Sequence, residues 1–207
     1  MTHVYRTTAA SAALLAAVFG LAGCGDSEAG SMPGMKHDSP STPMSAAPAT
    51  PTAFNDADVA FATQMIPHHQ QAVTMADLAL RKATTAEVKS LATAIKAAQA
   101  PEIEQLSGWL TGWGKPVPTP NEHSGHTMTG MMSPQEMDDL NKATGSMFDR
   151  MWVEMMIKHH QGAVAMAKTE QTTGKDPASI ALAKKIQTTQ TTEIATMKRL
   201  LGQLPIG

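Results

Sequence analysis

The twelve residues MIPHHQQAVTMA, at positions 65–76, return 91 residues later as MIKHHQGAVAMA, at positions 156–167. Nine of the twelve positions are identical, and each copy has a methionine three residues before a pair of adjacent histidines. The same offset, without a gap, aligns Asn55 with Ser146 and Glu102 with Glu193. A supersecondary unit has therefore been duplicated, and its two copies should build equivalent halves of one fold.

Helix-boundary signals divide each copy into two helices. Asn55 and Ser146 are candidate N-caps, each followed three residues later by an acid that favours the first helical turn. Thr84-x-x-Glu87 has the pattern of a capping box. Asp176-Pro177 combines an N-cap with a proline at the first helical position, and Gly174 can end the helix before it.

These signals predict long helices at 55–82, 85–113, 146–173 and 177–202. The hairpins 55–113 and 146–204 are joined by a longer connection, 114–145, in which a short helix begins at Ser133 and stops near Gly145. Alanine is abundant while valine and isoleucine are scarce, which favours helix over sheet. The expected fold is all-α: a four-helix bundle of two duplicated helical hairpins in a domain spanning 53–207.

The N-terminal region has a different character from the domain. Residues 1–24 combine a weakly basic start with a short apolar run, the pattern of a signal peptide for export. The run ends in Leu21-Ala22-Gly23-Cys24, which resembles the lipobox of bacterial lipoproteins, where the signal is cut before a cysteine that then carries lipid. Cys24 is the only cysteine, so it has no disulfide partner within the chain. The alternative is an ordinary secretory signal with a chance cysteine.

Residues 25–52 are rich in Ser, Pro, Ala, Gly and Thr and are expected to form a disordered, flexible tether. The mature protein is therefore expected outside the cytoplasm, on the outer face of the cell membrane or in the periplasm, anchored by lipid at Cys24. A net charge of −2 argues against a nucleic-acid partner. The sequence has no GxSxG, P-loop or CxxC motif.

Helical periodicity places the paired histidines on the face that meets the core. Adjacent residues diverge by about 100° on a helix, so one histidine of each pair should face the centre and the other a flanking helix. Methionines share that face in both copies, where packing alone is the simpler explanation for any single one. Repetition of the whole pattern favours a metal site. The candidate metal ligands are Met65, His68, His69, Met75, Met156, His159, His160 and Met166.

Glu102 and Glu193 fall in the middle of apolar stripes on the second helix of each hairpin. A carboxylate on a buried face must be paired, coordinated or neutralised, and the histidines of the facing helices are the available partners. Each glutamate would either ligate a metal or orient an imidazole through its other nitrogen, and Gln99 and Gln190 are further candidates for either role. The alternative is a buried His–Glu pair without metal.

Ligand softness selects the ion. Thioether with imidazole suits copper, and methionine favours Cu(I). Ferritin-like di-iron bundles use Glu-x-x-His, whereas Met65 and Met156 occupy the position of that glutamate, which argues against a di-iron oxidase. Methionines and histidines also recur in the tether and the connection, where a polar, glycine-rich context suggests weaker, exchangeable copper sites rather than core. These auxiliary candidates are Met32, Met35, His37, His123, His126, Met128, Met131 and Met132.

The motifs resemble the family known as domain of unknown function 305. The resemblance spans about 53–204 and rests on Met65-Ile66-Pro67-His68-His69-Gln70, on Met155-Met156-Ile157-x-His159-His160, and on Gln99 with Glu102-Ile103. It implies an exported bacterial protein, often a lipoprotein, with a ferritin-like helical bundle, and some relatives are linked to copper binding and tolerance. Leu200-Leu201 replaces Trp109-Leu110 in the second copy, so the symmetry is incomplete there.

The sequence thus leads to one main functional hypothesis and two alternatives. The main hypothesis is an extracytoplasmic copper-binding protein that sequesters or transfers copper through Met/His sites, without turnover and so not as an enzyme. The first alternative is a ferritin-like, metal-dependent redox enzyme. The second is a structural or interaction bundle whose buried His–Glu pairs hold no metal.

Overall fold

The computed structural model describes residues 53–119 and 128–205, which form five α-helices and no strand within those ranges. The helices are α1 (Asp56–Lys82), α2 (Ala86–Gly112), α3 (Pro134–Lys142), α4 (Gly145–Thr173) and α5 (Pro177–Leu201). The all-α prediction is confirmed, and each end of the four long helices lies within one residue of its predicted position. The short helix α3 ends at Lys142, just before the predicted stop.

Polar side chains start the helices. The Asn55 side chain accepts hydrogen bonds from the N–H groups of Ala57 and Asp58. The Asp58 carboxylate in turn accepts a hydrogen bond from the Asn55 N–H, which completes a capping box. Asp176 caps α5 as predicted, accepting from the N–H groups of Ala178 and Ser179.

Two predicted caps are wrong. Ser146 lies inside α4, whose N-cap is Thr144 without a side-chain cap hydrogen bond. Thr85, not Thr84, caps α2 by accepting from the Val88 N–H. At α2 the reason is a carboxylate from the other hairpin: Asp149 accepts hydrogen bonds from the Thr84 N–H at 3.0 Å, the Thr85 N–H at 2.8 Å and the Thr84 hydroxyl at 2.6 Å.

Asp58 makes the same connection in the opposite direction. Its carboxylate accepts from the N–H of Lys175 at 3.0 Å and of Asp176 at 2.9 Å, in the turn between α4 and α5. Asp58 and Asp149 are 91 residues apart, so the first helix of each hairpin holds the turn of the other. The start of α1 therefore lies at the end of α4, and the two antiparallel helices are related by an approximate twofold axis.

Helix α1 packs against α2, α4 against α5, and α1 against α4. The buried apolar side chains form two clusters. The Trp152 cluster contains Trp152, Phe148, Met75, Met156 and Met197, and the Phe61 cluster contains Phe61, Met65, Leu106, Leu110 and Ile186. Both clusters contain residues of both hairpins. The finer expectation of a ferritin-like arrangement of the four helices stays a prediction.

The two clusters leave a gap at the same level on all four long helices. On α1, for example, the Phe61 cluster ends at Ile66 and the Trp152 cluster begins at Ala72. Buried polar side chains fill this gap, so the core consists of two apolar clusters with a polar layer between them. Within the described ranges no helix is both long and apolar enough to span a bilayer.

Candidate metal site: a buried polar layer

The polar layer takes two residues from each long helix. The histidines have no exposed surface, and the glutamines and Glu102 are at most 5% exposed. Every member has its counterpart 91 residues away, so the layer follows the twofold relation of the hairpins. The members are His68, His69, Gln99, Glu102, His159, His160, Gln190 and Glu193.

His68 of α1 and His159 of α4 meet at the centre of the layer. Their ring centroids are 3.7 Å apart and their planes are tilted by 40°. Each is the counterpart of the other, so the pair lies on the approximate twofold axis. Burial lowers the pKa of His68 to about 3 and holds the pKa of His159 well below its ordinary value. Both rings are therefore neutral near pH 7, and a neutral imidazole has a lone pair that can bind a metal.

His69 and His160 point outward from the centre to the flanking helices. The Nε2 atom of His69 is 2.9 Å from the carboxylate of Glu102 on α2, and that of His160 is 2.8 Å from Glu193 on α5. The predicted split of each pair, one histidine central and one lateral, is confirmed. The predicted pairing of each glutamate with a histidine of the facing helix is confirmed as well.

Charge fixes the tautomer of His69. Burial alone would raise the pKa of Glu102, but the hydrogen bond from His69 and the nearby Lys185 ammonium lower it on balance. Burial lowers the pKa of His69 despite its carboxylate partner. A neutral His69 that donates its Nε2–H to Glu102 carries its lone pair on Nδ1. Carboxylates orient metal-binding histidines in this way, so the geometry suits an orienting role for the glutamates.

The two His–Glu pairs differ in their surroundings. Lys185 of α5 lies 3.1 Å from Glu102, whereas the position equivalent to Lys185 beside Glu193 is Ala94. The Glu193 side chain is also more exposed, at 16% against 7% for Glu102. The two halves of the layer are therefore alike in geometry and unlike in electrostatics.

The layer concentrates the unpartnered polar atoms of the described chain. Ten buried side-chain nitrogen or oxygen atoms there have no hydrogen-bond partner, and nine of them belong to this layer. They include both ring nitrogens of His68 and of His159, and Nδ1 of His69 and of His160. Buried polar groups are nearly always hydrogen-bonded, since an unpaired one is costly. A cluster of exceptions on one level of the fold indicates a binding site.

Methionines lie on both sides of the central pair. Met65 and Met156 are fully buried, each one helical turn before the central histidine of its helix, or about 4.5 Å along the axis. Because α1 and α4 are antiparallel, the two thioethers flank the pair from opposite clusters. The burial of Met65 and Met156 that the periodicity predicted is confirmed, and their role as metal ligands stays a prediction.

Met75 and Met166 lie about two helical turns after the central histidines of their helices. Met75 is fully buried, and its carbonyl accepts a hydrogen bond from the Trp152 indole at 2.9 Å. Its counterpart Met166 is half-buried and lines a surface cleft with Phe61, the counterpart of Trp152. The role of Met75 and Met166 as metal ligands therefore stays a prediction.

The auxiliary residues lie partly outside the described ranges. Cys24, Met32, Met35, His37, His123 and His126 fall there. Met128 and Met131 are half-buried, but Met132 is only 4% exposed and packs in the Trp152 cluster. The prediction that packing does not explain these methionines is therefore wrong for Met132. The side-chain amide of Gln71 binds the Met132 backbone and holds its side chain in the core.

Sequence reasoning missed a further buried carboxyl group, outside the layer. Glu170 of α4 is 1% exposed, accepts a hydrogen bond from the Ser179 hydroxyl at 2.6 Å and lies next to Asp58. Burial and the neighbouring Asp58 raise the pKa of Glu170 to about 7, although the Ser179 hydrogen bond opposes this. The repeat alignment could have indicated this polar pair, because the counterparts of Glu170 and Ser179 in the first copy are the apolar Ala79 and Val88.

Within the described ranges, no group of three or more His, Cys, Asp and Glu side chains is arranged to hold a metal ion. The candidate donor set of the polar layer is accordingly a mixed one: the imidazoles of the central pair with thioethers on either side. That combination is the one preferred by soft, monovalent copper.

The fold and the site together define an all-helical protein in which two duplicated hairpins enclose a His–Glu layer. The chain belongs to the DUF305 family, a domain of unknown function, whose model matches residues 58–201. Comparison with curated proteins finds no match.

Solved structures of the same family resemble this chain. A DUF305 protein of Streptomyces coelicolor classed as secreted is 33% identical, with a TM-score of 0.66 over 71% of this chain and 93% of that one. A DUF305 fragment from Deinococcus radiodurans is 34% identical, with a TM-score of 0.66 over 72% of this chain and 98% of its own. CopM in its Cu(II)-bound form is 38% identical, with a TM-score of 0.63 over 70% and 96%. CopM structures also exist with Cu(I) and with silver.

Proposed function

We propose that this protein binds copper outside the cytoplasm and either sequesters it or hands it on, with the central histidine pair and its flanking methionines as the tight site. Copper is the cargo in this proposal, and no turnover is involved. The observation that carries it is the clustering of nine unpartnered buried polar atoms in one layer of the core. Such atoms lower stability unless a ligand compensates them.

The donor chemistry supports Cu(I) as the preferred state. Both central imidazoles are neutral, so a metal need not displace a proton from them. The thioethers of Met65 and Met156 lie in apolar clusters on either side, where a soft, singly charged ion costs less to desolvate than a divalent one. Glu102 and Glu193 would hold the lateral histidines in place through their Nε2 atoms.

The relatives support the same metal. CopM has been crystallised with Cu(I), with Cu(II) and with silver, an ion with ligand preferences close to those of Cu(I). At 35% to 38% identity over nearly the whole length of CopM, the present chain shares the fold of a copper-bound protein.

The proposal includes the cellular location. A signal peptide ending at Cys24 and a lipid on that cysteine would place the bundle on the outer face of the membrane, with residues 25–52 as the tether. The relative from Streptomyces coelicolor that is classed as secreted supports export. Replacing Cys24 with serine should move the full chain from the membrane fraction to the soluble one; an unchanged distribution would contradict lipid anchoring.

A titration of the domain 53–207 with Cu(I), in competition with a chelator of known affinity, tests the proposal. The variant Met65→Leu, His68→Leu, Met156→Leu, His159→Leu keeps apolar side chains of similar volume in the core and should lose the tight fraction of bound copper. A matched control, His123→Ala with His126→Ala, removes two histidines of the connection and should keep it. Unchanged tight binding in the fourfold variant, with its helix content intact by circular dichroism, would reject the assignment.

The metal-free alternative makes the opposite thermal prediction. If the layer only specified the bundle, copper would not change the melting temperature of the domain. A ligand bound to the native state alone raises it, by about 2.7 kcal/mol of stability at a hundredfold excess over Kd. Calorimetry with and without Cu(I) therefore separates the two readings.

A further inference from the structure

The segment 128–132 lies across α4 beside the central histidine pair. A Cβ atom on Gly162 of α4 would overlap the Thr129 carbonyl and lie 2.8 Å from the Gly130 Cα. Gly130 has a φ of 88°, and a Cβ there would lie 3.0 Å from the His159 carbonyl oxygen. Because both residues are glycines, the backbone of the segment can contact the backbone of α4 next to His159.

The same segment closes the layer at His68. The Thr129 backbone lies beside the His68 ring, although it does not form a hydrogen bond with either ring nitrogen. Both central rings have no exposed surface. A metal that reaches them from this side must first displace the segment.

One side chain fastens the segment to α1. The Gln71 amide accepts a hydrogen bond from the Met132 N–H at 2.7 Å and donates one to the Met132 carbonyl at 2.8 Å. Gln71 and Gly162 occupy equivalent positions in the two repeats. The first copy thus provides the side chain that holds the segment, and the second provides the space in which it lies.

We infer that segment 128–132 is a lid over the His68–His159 pair and that Gln71 is its latch, which sets how fast copper exchanges with the buried site. This inference rests on the proposed function. Two neutral hydrogen bonds between Gln71 and Met132 fasten the lid to α1, so their loss should raise the open population about tenfold, while the metal ligands stay in place. Association and dissociation should then accelerate by the same factor, and the equilibrium affinity should stay nearly unchanged.

The first experiment needs no metal. Diethyl pyrocarbonate modifies exposed neutral imidazoles, and peptide mass spectrometry locates the modified residue. In the metal-free domain, His68 and His159 should react slowly in the wild type and about tenfold faster in Gln71→Ala. The matched control is Gln70→Ala, which removes the neighbouring glutamine and should leave the rate unchanged. Equal modification rates in wild type and Gln71→Ala would overturn the lid.

The second experiment measures exchange of Ag(I), used as a redox-inert probe, by stopped flow. Gln71→Ala should increase both rate constants with a Kd within about threefold of wild type, whereas Gln70→Ala should change neither. A Gln71→Ala variant that changes only the Kd would also overturn the lid. If modification accelerates while no variant binds silver or Cu(I), the lid stands and the copper proposal fails, so the two failures are distinguishable.

Discussion

At the residue scale, the site depends on side chains that the fold would be more stable without. His68 and His159 are fully buried with all four ring nitrogens unpartnered. An unsatisfied buried polar group costs about 1–3 kcal/mol, and an apolar side chain of similar size avoids that cost. The copper proposal accounts for two such residues at the centre of the core, since a bound ion would compensate their unpaired nitrogens.

The first prediction follows from that cost. The double variant His68→Leu, His159→Leu should make the metal-free domain more stable than wild type by about 1–2 kcal/mol, because it removes unpaired polar atoms without creating a large cavity. It should also lose the stabilisation by Cu(I). Denaturant unfolding with and without metal measures both effects. A metal-free variant that is strongly destabilised would show that the histidine pair is structural.

The second prediction concerns Glu170 and pH. Its folded-state pKa of about 7 lies above the ordinary value of 4.5, so the folded state holds this proton more tightly than the unfolded chain does. The resulting stabilisation is fully present below pH 4.5 and is lost as the pH rises through 7. Glutamine imitates the protonated acid, because its oxygen still accepts from Ser179 and its amide can donate toward Asp58.

Glu170→Gln should therefore gain stability relative to wild type as the pH rises from 5 to 8, by about 2–3 kcal/mol in total. Chemical denaturation across this pH range measures the gain. The control Glu104→Gln changes an exposed glutamate and should follow the wild-type profile. Parallel profiles for wild type and Glu170→Gln would contradict the raised pKa.

Residue-level reasoning found the layer but not all of its surroundings. Repetition and helical period were sufficient to place four histidines and two glutamates in the core, because those signals are local. The functions of Gln71 and Gly162 could not be predicted, since they depend on a connecting segment whose path is set by tertiary packing. Met132 was misread for the same reason: a polar, glycine-rich neighbourhood did not show that its backbone is held by Gln71.

At the element scale, two aspartates tie the hairpins together. Asp149 of α4 accepts every hydrogen bond offered by the backbone and hydroxyl of Thr84 and by the N–H of Thr85, at the start of α2. Asp58 of α1 does the same for the start of α5. A helix start presents unpaired N–H groups and a positive dipole end, both of which a carboxylate satisfies. Each carboxylate thus holds the residues that lead into a helix of the other hairpin, beside the cap that the helix already has.

The third prediction tests this connection. Asp149→Ala should destabilise the domain by about 2–4 kcal/mol, since a buried carboxylate and the several charge-assisted hydrogen bonds that it accepts are lost at once. Asp56→Ala is the matched control, because Asp56 lies in the first turn of α1 but is exposed; it should cost about 0.5 kcal/mol or less. Thermal or denaturant unfolding gives both values. Equal effects of the two substitutions would show that the connection contributes little.

The existence and length of the helices were predictable because caps, glycines and hydrophobic periodicity are local features of the sequence. The cap identity at Thr84 was not, since the competing acceptor, Asp149, belongs to another helix. A capping box is a local pattern, and a carboxylate from 65 residues away overrides it at Thr84. The repeat could have revealed the connection, because Asp58 and Asp149 are equivalent acids at equivalent places.

At the scale of the whole molecule, the protein behaves as a pseudo-dimer within one chain. Both apolar clusters contain residues of both hairpins, and the central histidine pair takes one ring from each. The two copies differ at some equivalent positions: the second copy has Trp152 where the first has Phe61, Gly162 where it has Gln71, and Lys185 where it has Ala94. Gly162 leaves space beside α4 for the segment 128–132, and Lys185 gives Glu102 an ammonium partner that Glu193 lacks.

The final prediction separates the halves. The fragments 53–119 and 128–205 contain one hairpin each and can be expressed as two separate chains. Neither fragment should unfold cooperatively on its own, because each exposes the apolar face of α1 or α4. Mixed at equal concentration, they should form a one-to-one complex with restored helix content. Native mass spectrometry gives the stoichiometry, and circular dichroism during heating shows whether cooperative unfolding returns.

The same experiment distinguishes the mixed complex from self-pairing. Because His68 lies on the approximate twofold axis, the hairpin 53–119 can pair with a second copy of itself and imitate the central contact. That homodimer lacks the Trp152 indole that donates to the Met75 carbonyl, and phenylalanine in its place leaves a void. The mixed complex should therefore win by at least tenfold in affinity. A hairpin that folds cooperatively as a monomer would mean that the duplicated halves are independent and that the buried layer does not hold them together.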